Sequence, residues 1–258
     1  MSSQLASQRT TLADSFFGAF KLSSAAFLLL IVSLSAPELH NQYLFSKIGS
    51  NTVFIKNPEG AAHQGSATGF EIITPSGKVY TLTNQHVCGL QKDGMLLVEE
   101  KRNTRRFIPR RVIEVSDEND LCLVEGLEGY EGLTLASSYE MEDLNYAIGY
   151  PLGEALNLTS GFLKSKESIK ILEDLSVEEC KGKNISIDKA DTIFGSFEVC
   201  VITRRAIQTN IPIYPGNSGS PMVNIYGRVT GIVFASNGLT HWGSSVPLED
   251  VVAFIKAY

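Results

Sequence analysis

Three short stretches of the chain carry the residue types that acyl transfer from a peptide requires. Thr81-Leu82-Thr83-Asn84-Gln85-His86-Val87-Cys88 is a β-type run that ends at a histidine. Asp117-Glu118-Asn119-Asp120-Leu121-Cys122-Leu123-Val124 is an acidic turn entering an apolar strand. Tyr214-Pro215-Gly216-Asn217-Ser218-Gly219-Ser220-Pro221 frames a serine with glycines. A serine hydroxyl is a poor nucleophile unless an imidazole within hydrogen-bond reach takes its proton. A buried carboxylate fixes that imidazole's tautomer and stabilises its charged form. The carbonyl oxygen under attack becomes negative and needs preorganised donors. Glycines let the backbone bend so that the N–H groups of Gly216 and Ser218 can serve as that oxyanion hole. The assignment is therefore Ser218 as nucleophile, His86 as base and Asp120 as orienting acid, with Asp117 as the competing carboxylate. Singly the signals are weak, because lone histidines, strand-initiating acids and glycine-serine turns are common structural features. His40, His63 and His241 lack the strand-into-turn context, and the order His, Asp, Ser carries the assignment as a set.

Such groups must be held by a scaffold, and the surrounding pattern predicts one made of short strands. β-type runs occur at Asn51–Ile55, Ala67–Ile73, Lys78–Thr83, Met95–Val98, Leu121–Val124, Leu144–Ile148, Val199–Ile202, Ser220–Val223 and Val229–Phe234. Turn signals punctuate them, as at Pro75-Ser76-Gly77 and Ile225-Tyr226-Gly227. Many short strands with frequent turns point to an all-β barrel or sandwich. A junction near Gly129–Gly132 divides this region into halves of similar size, and residues 247–258 read as a short C-terminal helix.

The 258 residues can hold one large domain or two small packed ones. A formal net charge of −6 gives no footprint for nucleic acid. The basic cluster Lys101, Arg102, Arg105, Arg106, Arg110 and Arg111 is flanked by Glu99, Glu100 and Glu114 and reads as a solvated hairpin. From Leu22 to Pro37 the chain is uncharged, which is short of the roughly 20 apolar residues that a spanning helix needs. Extending it back to Phe16 makes it long enough if Lys21 snorkels. It reads as an N-terminal membrane anchor. A cleaved signal peptide is the alternative, since Ser33 and Ser35 are small residues at cleavage spacing, and a buried soluble helix the third reading. Arg9 and Lys21 favour the N-terminus inside and the remainder exported. The four cysteines fit an oxidising compartment. Cys180 and Cys200 can close their excursion as a disulfide; Cys88 and Cys122 fit either a bond or small buried side chains. None has metal-ligand spacing with a histidine, so no metal and no cofactor is expected.

These motifs resemble the trypsin/chymotrypsin superfamily, and most closely its HtrA-like branch. Ser66-Ala67-Thr68-Gly69-Phe70, Thr83-Asn84-Gln85-His86-Val87 and Asp120-Leu121-Cys122-Leu123-Val124 are similar to that branch's barrel, histidine and aspartate motifs. Ala147-Ile148-Gly149-Tyr150-Pro151-Leu152-Gly153, Ile207-Gln208-Thr209-Asn210 through Asn224, and Gly231-Ile232-Val233 extend the likeness over about residues 48–258. The resemblance implies two packed six-stranded antiparallel β-barrels; with the readings above, the expected fold is all-β with a short C-terminal helix, preceded by an N-terminal hydrophobic helix. Its parts are then 1–42 as anchor or signal segment, 43–131 as first barrel and 132–258 as second barrel. It implies a serine endopeptidase acting on polypeptides; the N-terminal apolar segment and the cysteines point to an extracytoplasmic, membrane-anchored setting, or a secreted or periplasmic one after cleavage. The rival class is a silent protease fold used as a binding module. It also implies that Pro212, Ile213, Val233, Phe234 and Ala235 line the primary substrate pocket. None of these is acidic, so a basic residue before the cut would be desolvated without a partner. Glutamyl endopeptidases carry a histidine where Val233 stands, so small or medium aliphatic residues are expected. Three departures stand out: no PDZ-like module follows Tyr258, residues 164–198 form an insertion, and Asn217 replaces the aspartate that binds a new N-terminus in digestive proteases.

Overall fold

The computed structural model describes residues 37–56, 65–89, 94–173, 176–182, 185–192, 195–237 and 240–258. Residues 37–49 are helical (α1). The uncharged segment before Pro37 lies outside the described residues, and no described helix is long and apolar enough to cross a membrane. The chain divides into units Met1–Phe45 and Ser46–Tyr258, and all the strands belong to the second.

Six strands close the first barrel in the order β1-β2-β3-β6-β5-β4. They are β1 (Thr52–Lys56), β2 (Ser66–Ile73), β3 (Val79–Thr83), β4 (Met95–Glu99), β5 (Phe107–Ser116) and β6 (Leu121–Glu125). Val53, Ile55, Ala67, Leu96, Val98, Cys122 and Val124 fill its interior, as inward alternation on strands requires. The basic cluster sits on the β4–β5 hairpin; Lys101, Arg105, Arg106 and Arg111 are exposed, whereas Arg102 and Arg110 are half-buried and the flanking Glu99 is buried. Strand β5 was not legible as a β-run because Pro109, Arg110 and Arg111 interrupt its apolar alternation.

The second body departs from a plain six-stranded barrel. It is a seven-stranded sheet ordered β13-β12-β11-β7-β8-β10-β9, with β13 also paired to β10. Its strands are β7 (Leu144–Gly149), β8 (Asn157–Glu173), β9 (Ser186–Thr192), β10 (Gly195–Pro212), β11 (Pro221–Asn224), β12 (Val229–Ser236) and β13 (Trp242–Pro247). The β10–β13 pairing turns the sheet back on itself and leaves β9 outside that ring. The cause is the insertion. Strands β8 and β10 run on as one long antiparallel arm, paired from Thr209↔Leu163 to Cys200↔Glu173. β9 adds to the arm's outer end, and a Cys180–Cys200 disulfide ties α3 (Val177–Gly182) to β10. The C-terminal helix forms as α4 (Leu248–Ile255), burying Leu248, Val251 and Ile255.

One buried charge stands apart in the first barrel. Glu71 on β2 is fully buried and accepts hydrogen bonds from Thr81 Oγ1 and from the Leu127 N–H at 3.2 Å. Burial pushes its carboxyl from 4.5 up to about 7, against the lowering effect of those donors and of Arg110. Between these values the folded state keeps a proton that the unfolded chain releases, so stability falls as pH rises through that window. The shift corresponds to about 3 kcal/mol in total. We expect the wild-type melting temperature to drop from pH 5 to pH 8, and Glu71→Gln to flatten that drop; equal slopes in thermal melts would refute this origin.

Candidate active site

His86 does not end a strand. Asn84 breaks away from β3, and His86 lies in a single-turn helix, α2 (Gln85–Cys88). Asn84 caps nothing with its side chain; its Nδ2 instead donates to the Asp120 carbonyl at 3.0 Å. Asp120 occupies the turn between β5 and β6 with a left-handed φ of 54°, a conformation aspartate tolerates better than most side chains. Its carboxylate is fully buried and meets His86 twice. The His86 backbone N–H donates to Oδ1 at 3.0 Å, and Nδ1 lies 3.1 Å from Oδ1 and 2.9 Å from Oδ2. With the carboxylate accepting, Nδ1 is the donor of this pair. The ring is 42% exposed while Asp120 is 0% exposed, so the imidazole reaches the surface from a buried anchor. Asp117, the competing carboxylate, does not make these contacts; its carbonyl accepts from Arg204. A Cys88–Cys122 disulfide joins the positions two residues beyond His86 and Asp120. The sequence left that pair open, and the structure settles it as a bond.

The serine loop rests on β2. The Thr68 N–H donates to the Ser218 carbonyl at 2.8 Å, and Thr68 Oγ1 donates to the Gly216 carbonyl at 2.8 Å. Thr83 Oγ1, one residue before Asn84, donates to the Thr68 carbonyl at 2.8 Å. Gly219 has φ +85°, and a Cβ there would strike Thr68 O and Thr83 Oγ1, so only glycine lets the loop lie this close. The Pro215 carbonyl is taken by the Leu152 N–H at 2.6 Å and the Asn217 carbonyl by the Ser220 N–H at 2.9 Å. Across a trans peptide the N–H points opposite to its C=O. The N–H groups of Gly216 and Ser218 are thereby turned away from Leu152 and Ser220.

The five residues expected to line the pocket lie on the segments flanking this loop. The Gly219 N–H donates to Val233 O at 2.8 Å and the Val233 N–H to Ser220 O at 3.0 Å, which sets β12 against the loop. Ile213 and Val233 point into the apolar cluster with Ala147, Leu163, Ile207, Ile211 and Met222. Phe234 is buried, Ala235 half-buried and Pro212 exposed. Among the described residues no group of His, Cys, Asp and Glu is placed to hold a metal ion.

One residue of the site was missed by sequence reasoning. Arg204 of β10 is buried, and its Nη1 lies 3.3 Å from Asp120 Oδ2. The available signal was parity: Arg204 and Ala206 point inward on β10, whereas Thr203 and Arg205 point outward.

Residues 67–232 match the family model described as a trypsin-like peptidase domain. The chain is similar to the serine protease Do-like HtrB of Bacillus subtilis, 29% identical over 68% of this chain and 34% of the relative. It is also similar to the probable periplasmic serine endoprotease DegP-like of Ectopseudomonas mendocina, 28% identical over 75% of this chain and 35% of the relative. The chain thus spans about a third of the length of these two relatives. The active form of the Rv3671c protease of M. tuberculosis shares the fold, with a TM-score of 0.60 at 18% identity, covering 84% of each chain.

Thr68→Val keeps the side-chain shape but removes the donor to Gly216 O and the acceptor for the Tyr150 N–H, which lies 3.0 Å from Thr68 Oγ1. Leaving two such buried groups unpaired costs about 2–4 kcal/mol. The expected outcome is a lower melting temperature together with slower reaction of Ser218 with a fluorophosphonate. An unchanged reaction rate in a folded variant would show that the loop does not depend on this contact.

Proposed function

We propose that this chain, which belongs to the trypsin-like peptidase domain family, is a serine endopeptidase that works through an acyl-enzyme on Ser218. The carrying observation is the doubly anchored His86–Asp120 pair, with Nδ1 at 2.9 Å and the backbone N–H at 3.0 Å from the carboxylate. In this reading His86 Nε2 takes the Ser218 Oγ proton as Oγ bonds to the substrate carbonyl carbon. The N–H groups of Gly216 and Ser218 donate to the resulting oxyanion. His86 then returns the proton to the departing amine, the C–N bond breaks, and water attacks the ester by the same steps in reverse. Asp120 stays ionised and orients the ring throughout.

The domain reading is 43–131 for the first barrel and 132–258 for the second, with 1–42 as a membrane anchor or signal segment ahead of them. Both disulfides support an extracytoplasmic site of action, because such bonds persist in oxidising compartments. The E. mendocina relative carries the description probable periplasmic, which fits the same setting. The primary pocket is assigned to the segments carrying Pro212, Ile213, Val233, Phe234 and Ala235, with the Ile213 and Val233 side chains packed beneath it in the core. None of these side chains bears a charge, which favours small or medium aliphatic side chains before the cut.

A fluorophosphonate probe should label wild type and leave Ser218→Ala unlabelled, with peptide hydrolysis falling by on the order of 10³-fold or more. Full hydrolysis by Ser218→Ala would refute the mechanism. A peptide-library profile should be dominated by Ala, Val, Leu or similar residues before the scissile bond. A profile dominated by Arg, Lys or Glu would reject the pocket assignment.

A further inference from the structure

Asp120 poses an electrostatic problem that His86 alone does not solve. Its carboxylate is 0% exposed, and a buried carboxylate is costly unless a cation and hydrogen bonds replace the lost water. A neutral imidazole supplies a hydrogen bond but no charge. Arg204 supplies the charge. Its side chain is 8% exposed and its Nη1 lies 3.3 Å from Asp120 Oδ2, while its Nη2 donates to the Asp117 carbonyl at 3.3 Å. Both contacts fall on the one turn that holds Asp120, and Nε has no hydrogen-bond partner. Its neighbour Arg205 behaves differently: it is half exposed and pairs with Asp250 and Glu249 at the surface.

The contacts also divide the carboxylate between two anchors. Oδ1 is held by the His86 backbone N–H and Oδ2 by Arg204, with Nδ1 facing both oxygens. Rotation of the carboxylate about its own axis breaks one anchor or the other. Because β10 belongs to the second sheet and Asp120 to the first barrel, the second sheet thereby reaches into the turn of the first barrel that holds Asp120. We propose that Arg204 is a positioning residue for the peptidase reaction, acting through Asp120 as its buried counter-charge and as the brace that aims it at His86 Nδ1. This rests on the reading of Ser218, His86 and Asp120 as the catalytic groups.

The test uses the rate constant for labelling of Ser218 by a fluorophosphonate, normalised to the labelled end point so that only folded sites are counted. Arg204→Met should slow labelling about ten-fold or more, and Arg204→Lys, which keeps the charge, should recover part of that loss. If Arg204 acts through Asp120, the double variant Arg204→Met/Asp120→Asn labels at the rate of Asp120→Asn alone. That comparison stands even where Arg204→Met fails to fold, because removing both partners strands no buried charge. A folded Arg204→Met within two-fold of wild type overturns the proposal, as does a double variant slower than Asp120→Asn. Wild type that labels no faster than Ser218→Ala overturns the peptidase reading itself, an outcome distinct from either.

Discussion

Thr68 commits every polar atom it has to the walls of the site, and it does so with no exposure to water. Its N–H holds the Ser218 carbonyl, its hydroxyl holds Gly216 O and receives the Tyr150 N–H, and its carbonyl receives Thr83 Oγ1. The serine loop, the turn after β7 and the strand that leads to His86 are thus tied to one residue of β2. Buried polar groups that are fully paired rigidify their surroundings, whereas a partly paired set is costly. The glycine at position 219 obeys the same constraint, since the loop can approach Thr68 this closely only without a side chain there.

Two buried carboxylates in the same barrel show how neighbours decide what a group does. Asp120 faces a guanidinium at 3.3 Å and an imidazole at 2.9 Å. Glu71 has hydrogen-bond donors but only the more distant field of Arg110, and burial raises its carboxyl to about 7. One is an anchor for an imidazole; the other binds a proton in the barrel beside Thr81. The difference lies in whether the opposite sheet offers a cation, and of these two carboxylates β10 does so only at Asp120.

The pairing of His86 with Asp120 was legible because the chemistry demands particular residue types, and few histidines and aspartates sit in strand-to-turn contexts. The first barrel was legible for a similar reason: Leu121-Cys122-Leu123-Val124 and Ala67–Ile73 are buried runs bounded by turns. Arg204 was hidden because Arg204-Arg205 reads as a solvated pair until the parity of β10 is known. The Cys88–Cys122 bond was left open because pairing depends on the distance between α2 and β6, which spacing along the chain does not give. The strands inside the insertion were not legible because Glu167, Lys170, Lys189 and Asp191 dilute their apolar alternation. Exposed strands have no reason to keep an apolar face.

β10 meets demands that no motif announced. Its outer end bears β9 and the Cys180–Cys200 bond, its middle presents Arg204 to Asp120, and its last residues lead into the serine loop at Ile213. A strand slipped by one residue would turn Arg204 outward and Arg205 inward, placing the guanidinium on the wrong face. β10 is paired with β8 as far as Thr209 and with β13 already from Ile207, and beyond Gln208 its register shifts against both strands. The irregularity lies between Arg204, which faces Asp120, and the end of the strand at Pro212. Upstream, the pairing with β8 fixes which arginine faces Asp120; downstream, the pairing with β13 sets where the loop toward Ser218 begins. The insertion lengthens the first of these pairings well beyond the ring, so the added strand is physically continuous with the residue that braces Asp120.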